Sequence, residues 1–460
     1  MLLIIFIWNF ACVFNYFVLD LYTHEKDNSY FLYSVIDVGE PTKTIFAEIS
    51  SDSYGVRLYN NECNVDVSES KYDVRSSKSL NIFPSERRMY DNDKEIFFAR
   101  EIIYFKNENN KKFGVDLNLI YAANKRESSK NTCAVFGLKL SDNNNILYGN
   151  NIINQLREHK LIKSHNWFIV FKEQNKYGIK KDPTTTSNAS AQFYIGLEPH
   201  DIFVSYDPNN LVYVSSNFGA SRHGWDLLFE EIFYYEKGDK VKINKGDVFG
   251  SLVFDDKYLT APREYMAEIE QKCFKEYFRS DRCFNSIINN YYYIICNSLN
   301  LDLNKFYSEF STLHFFNKQL NFTFELTGKE LFTPNNTDLI FNLRFSSGLN
   351  HWKIGSIFLK KYLFTFNSDN KMIGFYNDEY FYSREITTGN NSFFGCFVYC
   401  TMFLTAAFIT GVFVSKTIYK KRKKANEIDE DFGYDTNENI CGKCKASEVE
   451  DLEMQNKLIN

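Results

Sequence analysis

Hydroxyl and carboxyl side chains crowd into one short stretch near the start of the chain. The stretch IFAEISSDSYGVRLY (Ile45–Tyr59) follows an alternating apolar run and contains three serines, one aspartate and one glycine. Such residues are able to take part in acid, base or nucleophilic chemistry when a loop holds them close together. Taken alone, however, the same composition favours a polar hairpin turn.

Other residues that could carry chemistry are few. Cys441 and Cys444 form a Cys-x-x-Cys pair, but no second Cys or His pair follows them, so this is a weak signal for zinc or redox function. The seven histidines show no metal-site spacing, and no phosphate-binding glycine loop is present. We therefore predict no metal site and no cofactor. The net charge of -5 also gives no sign of nucleic-acid binding.

Two apolar segments predict the topology of the chain. Residues 1–19 carry no charge before Asp20 and are predicted to be a signal peptide, with an uncleaved anchor as the alternative. Residues 393–415 form 23 uncharged residues, long enough to cross a hydrocarbon layer as a helix. Six Lys and Arg residues follow within residues 416–424, which places the tail in the cytosol. We therefore predict a single-pass type I membrane protein with a lumenal or extracellular body.

Cysteines and sequons are compatible with that location. The body contains an odd number of cysteines, so at least one is free or pairs between chains. We predict a disulfide between Cys283 and Cys296, with other pairings left open. Four Asn-x-Ser/Thr sequons are glycosylation candidates. They begin at Asn188, Asn321, Asn335 and Asn390.

The body is predicted to be all-β with a few short helices. Aromatic and β-branched runs separated by polar turns predict strands, among them NWFIVF, LLFEEIFYY and FTFEL. Helices are predicted within residues 150–162 and 261–278, the second with Pro262 in its first turn. The most plausible break between two halves is Glu198–Asn210. The acidic tail, residues 416–460, is predicted to be disordered.

Several blocks in order resemble the pepsin-like aspartic peptidases. The clearest, HWKIGSIFLKKYLFTFNSDNKMIGF (His351–Phe375), is similar to the last-strand block of that family. Other blocks match its opening strands, the apolar-apolar-Gly-Leu segment AVFGLKL and the strand and glycine that close its first lobe. The resemblance covers roughly Tyr30–Phe375 and implies two β lobes, here residues 20–200 and 201–388, with a cleft between them. The matching motif residues are Gly137, Gly196, Gly355, Phe358, Leu359 and Gly374.

That family cuts peptide bonds with two Asp-Thr/Ser-Gly loops whose aspartates share one proton, and the hydroxyl beside each aspartate ties the loops together. An ungapped match puts the first aspartate at Ser50, its hydroxyl neighbour at Ser51 and the loop glycine at Asp52. Asp255 matches the second aspartate, but Asp256 and Lys257 replace its Thr and Gly. Tyr90 is the best match for the tyrosine of the flap over the cleft.

These substitutions lead us to expect a non-catalytic pseudopeptidase. Ser50 cannot carry the charge that a proton-sharing pair needs. The resemblance then implies binding of an extended peptide or protein in the cleft between the lobes. The alternative is a divergent membrane-bound aspartic endopeptidase, in which Asp52 or another acid partners Asp255. A structure separates the two hypotheses by showing which group faces Asp255.

Overall fold

The structure is a computed structural model that describes residues 16–377, apart from residues 27–28, 60–61, 66–67, 74–75, 91–93, 107–111, 123–131, 141–150, 173–187, 204, 217–223 and 300. These residues belong to one compact unit, Met1–Gly389. The predicted membrane segment, the acidic tail and Asn390 lie outside the described residues. Among the described residues, no helix combines the length and the apolar character needed to cross a bilayer.

The described chain is mostly β-sheet, which confirms the predicted all-β character. The strands are β1 Phe17–Lys26, β2 Ser29–Val38, β3 Lys43–Ser50, β4 Val56–Tyr59, β5 Glu62–Val65, β6 Ser68–Lys71, β7 Asn81–Tyr90, β8 Lys94–Lys106, β9 Lys112–Ala122, β10 Ala134–Gly137, β11 Asn166–Phe171, β12 Ala191–Ile195, β13 Leu211–Ser215, β14 Asp226–Phe229, β15 Glu231–Glu236, β16 Asp239–Lys242, β17 Val248–Leu252, β18 Leu259–Pro262, β19 Cys283–Ile288, β20 Tyr291–Asn297, β21 Leu313–Asn317, β22 Phe322–Leu326, β23 Phe332–Asn335, β24 Asp338–Phe341, β25 Leu343–Ser346, β26 Trp352–Ile354, β27 Phe364–Asn367 and β28 Met372–Tyr376.

The described helices are short. The α-helices are α1 Ile152–Glu158, α2 Pro199–Ile202, α3 Met266–Ile269, α4 Lys275–Arg279, α5 Leu303–Glu309, α6 Gly328–Leu331 and α7 Ser356–Leu359. Helix α1 lies in the first predicted helical region, where the Asn151 side chain accepts a hydrogen bond from the Asn154 amide at 2.9 Å and caps it. The second region is composite: a 3₁₀ turn (Arg263–Tyr265), α3, a π segment (Glu270–Phe274) and α4. The prediction that Pro262 lies in the first helical turn is wrong, because Pro262 is the last residue of β18 and comes immediately before that turn.

Two large sheets contain most of the strands. The first has the order β13-β28-β27-β11-β12-β1-β2-β3-β10-β4-β9-β8-β7. The second runs β14-β17-β26-β18-β25-β20-β24-β23, with β19 beside β20. A four-stranded sheet, β16-β15-β21-β22, and the pair β5-β6 complete the described strands. We call β1–β12 the N-terminal half and β13–β28 the C-terminal half.

The first sheet joins the two halves. Strand β11 pairs antiparallel with β27, so that Trp167 lies opposite Phe366. Trp167 is fully buried and stacks on Phe366 at 4.2 Å between ring centroids. Its ring also lies 5.5 Å from Trp225 and 5.8 Å from Phe254. This aromatic core therefore supports the chain immediately before Asp255.

The same three-stranded arrangement occurs in both halves. In the N-terminal half, β10 pairs in parallel with β3 and antiparallel with β4, and so lies between the two strands that flank the Ser50 loop. In the C-terminal half, β26 pairs in parallel with β17 and antiparallel with β18, between the strands that flank the Asp255 loop. Each half thus presents one loop, built in the same way.

Candidate functional site

Ser50 and Asp255 meet where the two loops approach each other. Ser50 is the last residue of β3, and Asp255 follows β17 by three residues. The Ser50 hydroxyl donates a hydrogen bond to Asp255 Oδ2 at 3.3 Å. Ser50 is only 2% exposed, so this hydroxyl lies in a place largely closed to water. The structure therefore brings together the two positions that match the catalytic aspartates, with one carboxyl group instead of two.

A glycine holds each loop close to the neighbouring strand. A Cβ atom on Gly137, at the end of β10, would lie 2.3 Å from the Ser53 carbonyl oxygen. A Cβ on Gly355, just after β26, would lie 2.3 Å from the Tyr258 carbonyl oxygen. Only glycine permits so close an approach of backbone to backbone. Gly137 and Gly355 thus play the same structural role in the two halves, since each allows a loop to pack closely against a strand.

Ser51 links the first loop to the second. Its hydroxyl accepts a hydrogen bond from the backbone amide of Phe254 at 3.3 Å, and Ser51 is 2% exposed. The resemblance leads us to expect such a tie from the hydroxyl beside each aspartate. The first loop makes this contact, with Ser50 at the position that the resemblance assigns to an aspartate.

Asp256 stands where the resemblance leads us to expect a second hydroxyl that links the loops. Its side-chain contacts with Arg344 and Tyr258 lie within the C-terminal half. Its Oδ2 pairs with Arg344 Nη2 at 2.5 Å, and its Oδ1 accepts from the Tyr258 amide at 3.1 Å. Arg344 also donates to Thr260 Oγ1 and to the Tyr293 hydroxyl, both at 3.0 Å. Burial raises the pKa of the Asp256 carboxyl, and the Arg344 guanidinium opposes that rise.

Asp52, the alternative acid, is paired with a lysine. Asp52 Oδ2 lies 3.0 Å from Lys353 Nζ on β26, and the Asp52 side chain is 48% exposed. Burial lowers the pKa of Lys353, but Asp52, Asp255 and Asp256 raise it above its ordinary value overall. Lys353 therefore stays protonated beside the acids. Asp52 therefore serves as the ion-pair partner of Lys353.

Lys257, at the other loop-glycine position, is also paired. Its Nζ lies 2.5 Å from Glu25 Oε1, on β1 of the N-terminal half. The Lys257 side chain is 16% exposed and that of Glu25 is 53% exposed. Both glycine positions of the family pattern are thus filled by charged residues with partners across the two halves.

The remaining motif residues lie in the framework. Phe358 and Leu359 are buried in α7, and Gly374 lies in β28, where a Cβ would meet the Thr365 side chain at 2.5 Å. Gly196 follows β12 with φ +95°, a conformation that favours glycine. Tyr90 ends β7, and its side chain is outside the described residues.

The Cys283–Cys296 disulfide is present, as predicted. Cys133 is also disulfide-bonded, and Cys273 is a free thiol. The sequons at Asn188, Asn321 and Asn335 each begin at an exposed residue in or beside a turn. Within the described ranges, no group of three or more His, Cys, Asp or Glu side chains is arranged to hold a metal ion.

Sequence reasoning missed Arg344, Lys353 and Glu25. Arg344 stands in the apolar run LIFNLRF, and a lone charge in such a run is a signal for a buried ion pair. Lys353 and Glu25 lie 301 and 232 residues from their partners, so spacing gives no signal for these contacts.

No protein-family model matches this chain, and no curated protein matches it either.

Proposed function

We propose that the chain is a type I membrane protein whose ectodomain has a bilobal pepsin-like fold and binds an extended peptide or protein segment without cleaving it. The observation that carries the proposal is the contact between the Ser50 hydroxyl and Asp255. Peptide-bond hydrolysis by this chemistry needs one carboxyl group as base and another as acid. A serine hydroxyl cannot replace either group, because it does not ionise near neutral pH.

The repeated loop architecture supports the pepsin-like part of the proposal. Each half inserts a third strand between the two strands that flank its loop, and each loop packs on a glycine, Gly137 or Gly355. The resemblance implies two β lobes that each offer one loop to a shared centre, and this repeat agrees with that arrangement. The proposed lobes are residues 20–200 and 201–388, joined through β11 and β27.

The pairing of Asp52 with Lys353 argues against the endopeptidase alternative. Asp52 is engaged in an ion pair with Lys353 at 3.0 Å, whereas the Ser50 hydroxyl contacts Asp255. Lys257 adds a second charged side chain where the family pattern has a glycine. These contacts favour a binding site over a catalytic one.

The binding site that we propose lies between the two halves, beside the Ser50–Asp255 contact. Clefts of this kind hold extended segments through backbone hydrogen bonds and side-chain pockets. The membrane span at residues 393–415 and the basic residues after it support the orientation, with the body lumenal or extracellular and the tail cytosolic.

A retention experiment tests this proposal. The full chain in detergent micelles is mixed with pooled unstructured peptides, and the bound and free fractions are separated by size and analysed by mass spectrometry. We expect some peptides to be retained intact and none to be shortened. An Asp52→Trp variant should retain less because the new ring obstructs the proposed site, whereas Asp247→Trp, in the exposed turn at the other end of β17, should retain as much as the wild type. Retention that is equal in both variants would contradict the proposed location.

Glycan analysis tests the orientation separately. Chain made in a eukaryotic secretory system should lose mass on treatment with an N-glycosidase, and Asn321→Gln together with Asn335→Gln should reduce that loss. An unmodified chain in which both asparagines remain bare would argue against a lumenal body.

A further inference from the structure

Two ion pairs in the described part of the chain cross between the halves beside the Ser50–Asp255 contact. Asp52 of the N-terminal half pairs with Lys353 of the C-terminal half, and Lys257 of the C-terminal half pairs with Glu25 of the N-terminal half. Asp52 and Lys257 occupy equivalent positions, each two residues after Ser50 or Asp255. The loop of each half therefore reaches into the opposite half, and the two loop residues have opposite charges.

We propose that these reciprocal ion pairs, Asp52–Lys353 and Glu25–Lys257, form an electrostatic lock that fixes the relative position of the two halves. The inference depends only on these contacts and holds whether or not the site binds peptides. The lock holds the two loops against the opposite halves and weakens as ionic strength rises.

The exposure of the four side chains supports this role. Lys257 and Lys353 are largely covered, at 16% and 28% exposed, whereas Glu25 and Asp52 are about half exposed. A lysine that is covered in this way depends on its partner, because an unpaired buried charge is costly. Surface ion pairs generally contribute little. The covered lysines distinguish these two pairs from pairs that are exposed on both sides.

Neighbouring contacts provide a reporter for the lock. The Phe254 amide donates to Ser51 Oγ at 3.3 Å across the halves, and the Trp225 indole donates to the Leu138 carbonyl at 2.8 Å. Both bonds break if the halves move apart at the loops. Hydrogen exchange of the Phe254 amide therefore reports local separation.

The experiment measures hydrogen exchange by mass spectrometry on the full chain in detergent micelles. In a Lys257→Gln/Lys353→Gln variant, we expect the peptide containing Phe254 to exchange about fivefold to tenfold faster, as two ion pairs of moderate strength together would give. Raising the salt concentration of the wild type to about 1 M should act in the same direction, because the screening length then falls to about 3 Å. Peptides from β20, within the C-terminal half, should not change, which separates loosening of the lock from global unfolding.

Two further variants serve as controls, one that removes a charge within one half and one that exchanges the charges of a pair between the halves. Lys272→Gln removes a charge from the Lys272–Glu268 pair, which joins residues of one half at 2.7 Å, and should leave the Phe254 peptide unchanged. Exchanging the charges of one pair, Asp52→Lys with Lys353→Asp, should restore slow exchange relative to Lys353→Asp alone. The lock is refuted if the Phe254 peptide exchanges at the wild-type rate in the Lys257→Gln/Lys353→Gln variant, or if Lys272→Gln has the same effect.

Discussion

The Ser50 hydroxyl and the Asp255 carboxylate lie 3.3 Å apart, although 205 residues separate them in the sequence. Each ends a strand-to-loop segment that packs on a glycine, so the two residues have equivalent places in the two halves. At this contact one residue offers a carboxyl group and the other a hydroxyl group. We therefore expect the packing of the two loops to contribute to the stability of the protein. We do not expect the loops to catalyse peptide hydrolysis.

The Asp256–Arg344 pair should be important for stability. Asp256→Asn removes the countercharge of Arg344, whose side chain is only 8% exposed. We expect a loss of about 3–5 kcal/mol in the free energy of unfolding, because an uncompensated buried charge remains. Denaturant unfolding measures the loss. Glu276→Gln, which removes the partner of Arg279 in a pair exposed on both sides, should cost less than about 1 kcal/mol. Equal losses of unfolding free energy in the two variants would contradict the importance of the Asp256–Arg344 pair for stability.

Gly355 should tolerate no side chain. Gly355→Ala forces a Cβ atom against the Tyr258 carbonyl oxygen and also within 2.8 Å of the Asp256 carbonyl oxygen. We expect a loss of about 1–3 kcal/mol or more in the free energy of unfolding, since backbone must move to make room. Gly348→Ala is the matched control, because nothing lies within 4 Å of its added Cβ. Thermal unfolding of both variants is the measurement, and a stable Gly355→Ala protein would show that the loop does not pack as described.

We predict that His314 makes the free energy of unfolding depend on pH. Burial lowers the pKa of His314, and Glu325, at 3.4 Å, opposes this only in part, while Lys240 and Lys361 lower it further. The imidazole also stacks on Phe233 at 4.8 Å. The folded pKa is therefore below that of the unfolded chain, which is about 6.5, so the stabilisation is present above that pH and is lost as pH falls.

The measurement for His314 is the free energy of unfolding between about pH 5 and pH 8, where an ordinary histidine titrates. The wild type should lose more stability on acidification than His314→Gln, which does not titrate. Parallel pH curves for the two proteins would contradict burial of a neutral imidazole.

The start of β1 predicts where the mature chain can begin. Phe17 and Leu19 are 3% and 7% exposed, and they pair with Ile195 and Phe193 of β12. The predicted signal peptide ends at Leu19, so a cut there would remove three residues of this strand. We expect the mature protein to begin at or before Phe17, and mass spectrometry of its N-terminal peptide will show this. A mature chain that begins at Asp20 would contradict the role of β1 in the sheet.

The sequence predicted local structure well where one strand stays in one sheet. NWFIVF and FTFEL match β11 and β22 residue for residue. The run LLFEEIFYY was predicted as one strand and is two, because the chain leaves the second large sheet after Phe229 and enters the four-stranded sheet at Glu231. Apolar periodicity does not record such a change of sheet.

The site was predictable only in part. The resemblance to the pepsin-like peptidases selected Ser50 and Asp255, because each lies in a block that matches one catalytic loop. The cross-half partners Lys353 and Glu25 could not be chosen, since their contacts depend on how the two halves pack and not on local sequence. Because the sequence contains many lysines and acidic residues, it does not show in advance which of them will pair.

The most direct test of the central claim is peptide cleavage between about pH 3 and pH 7, the range in which carboxyl pairs of this kind work. The purified full chain is assayed on pooled unstructured peptides beside Asp255→Ala and Ser50→Asp variants. The account predicts no cleavage by the wild type and no change in Asp255→Ala, with Ser50→Asp included to show whether a second carboxyl group alone restores activity. Cleavage by the wild type that Asp255→Ala abolishes would contradict the proposal and show that an acid other than the residue at position 50 works with Asp255.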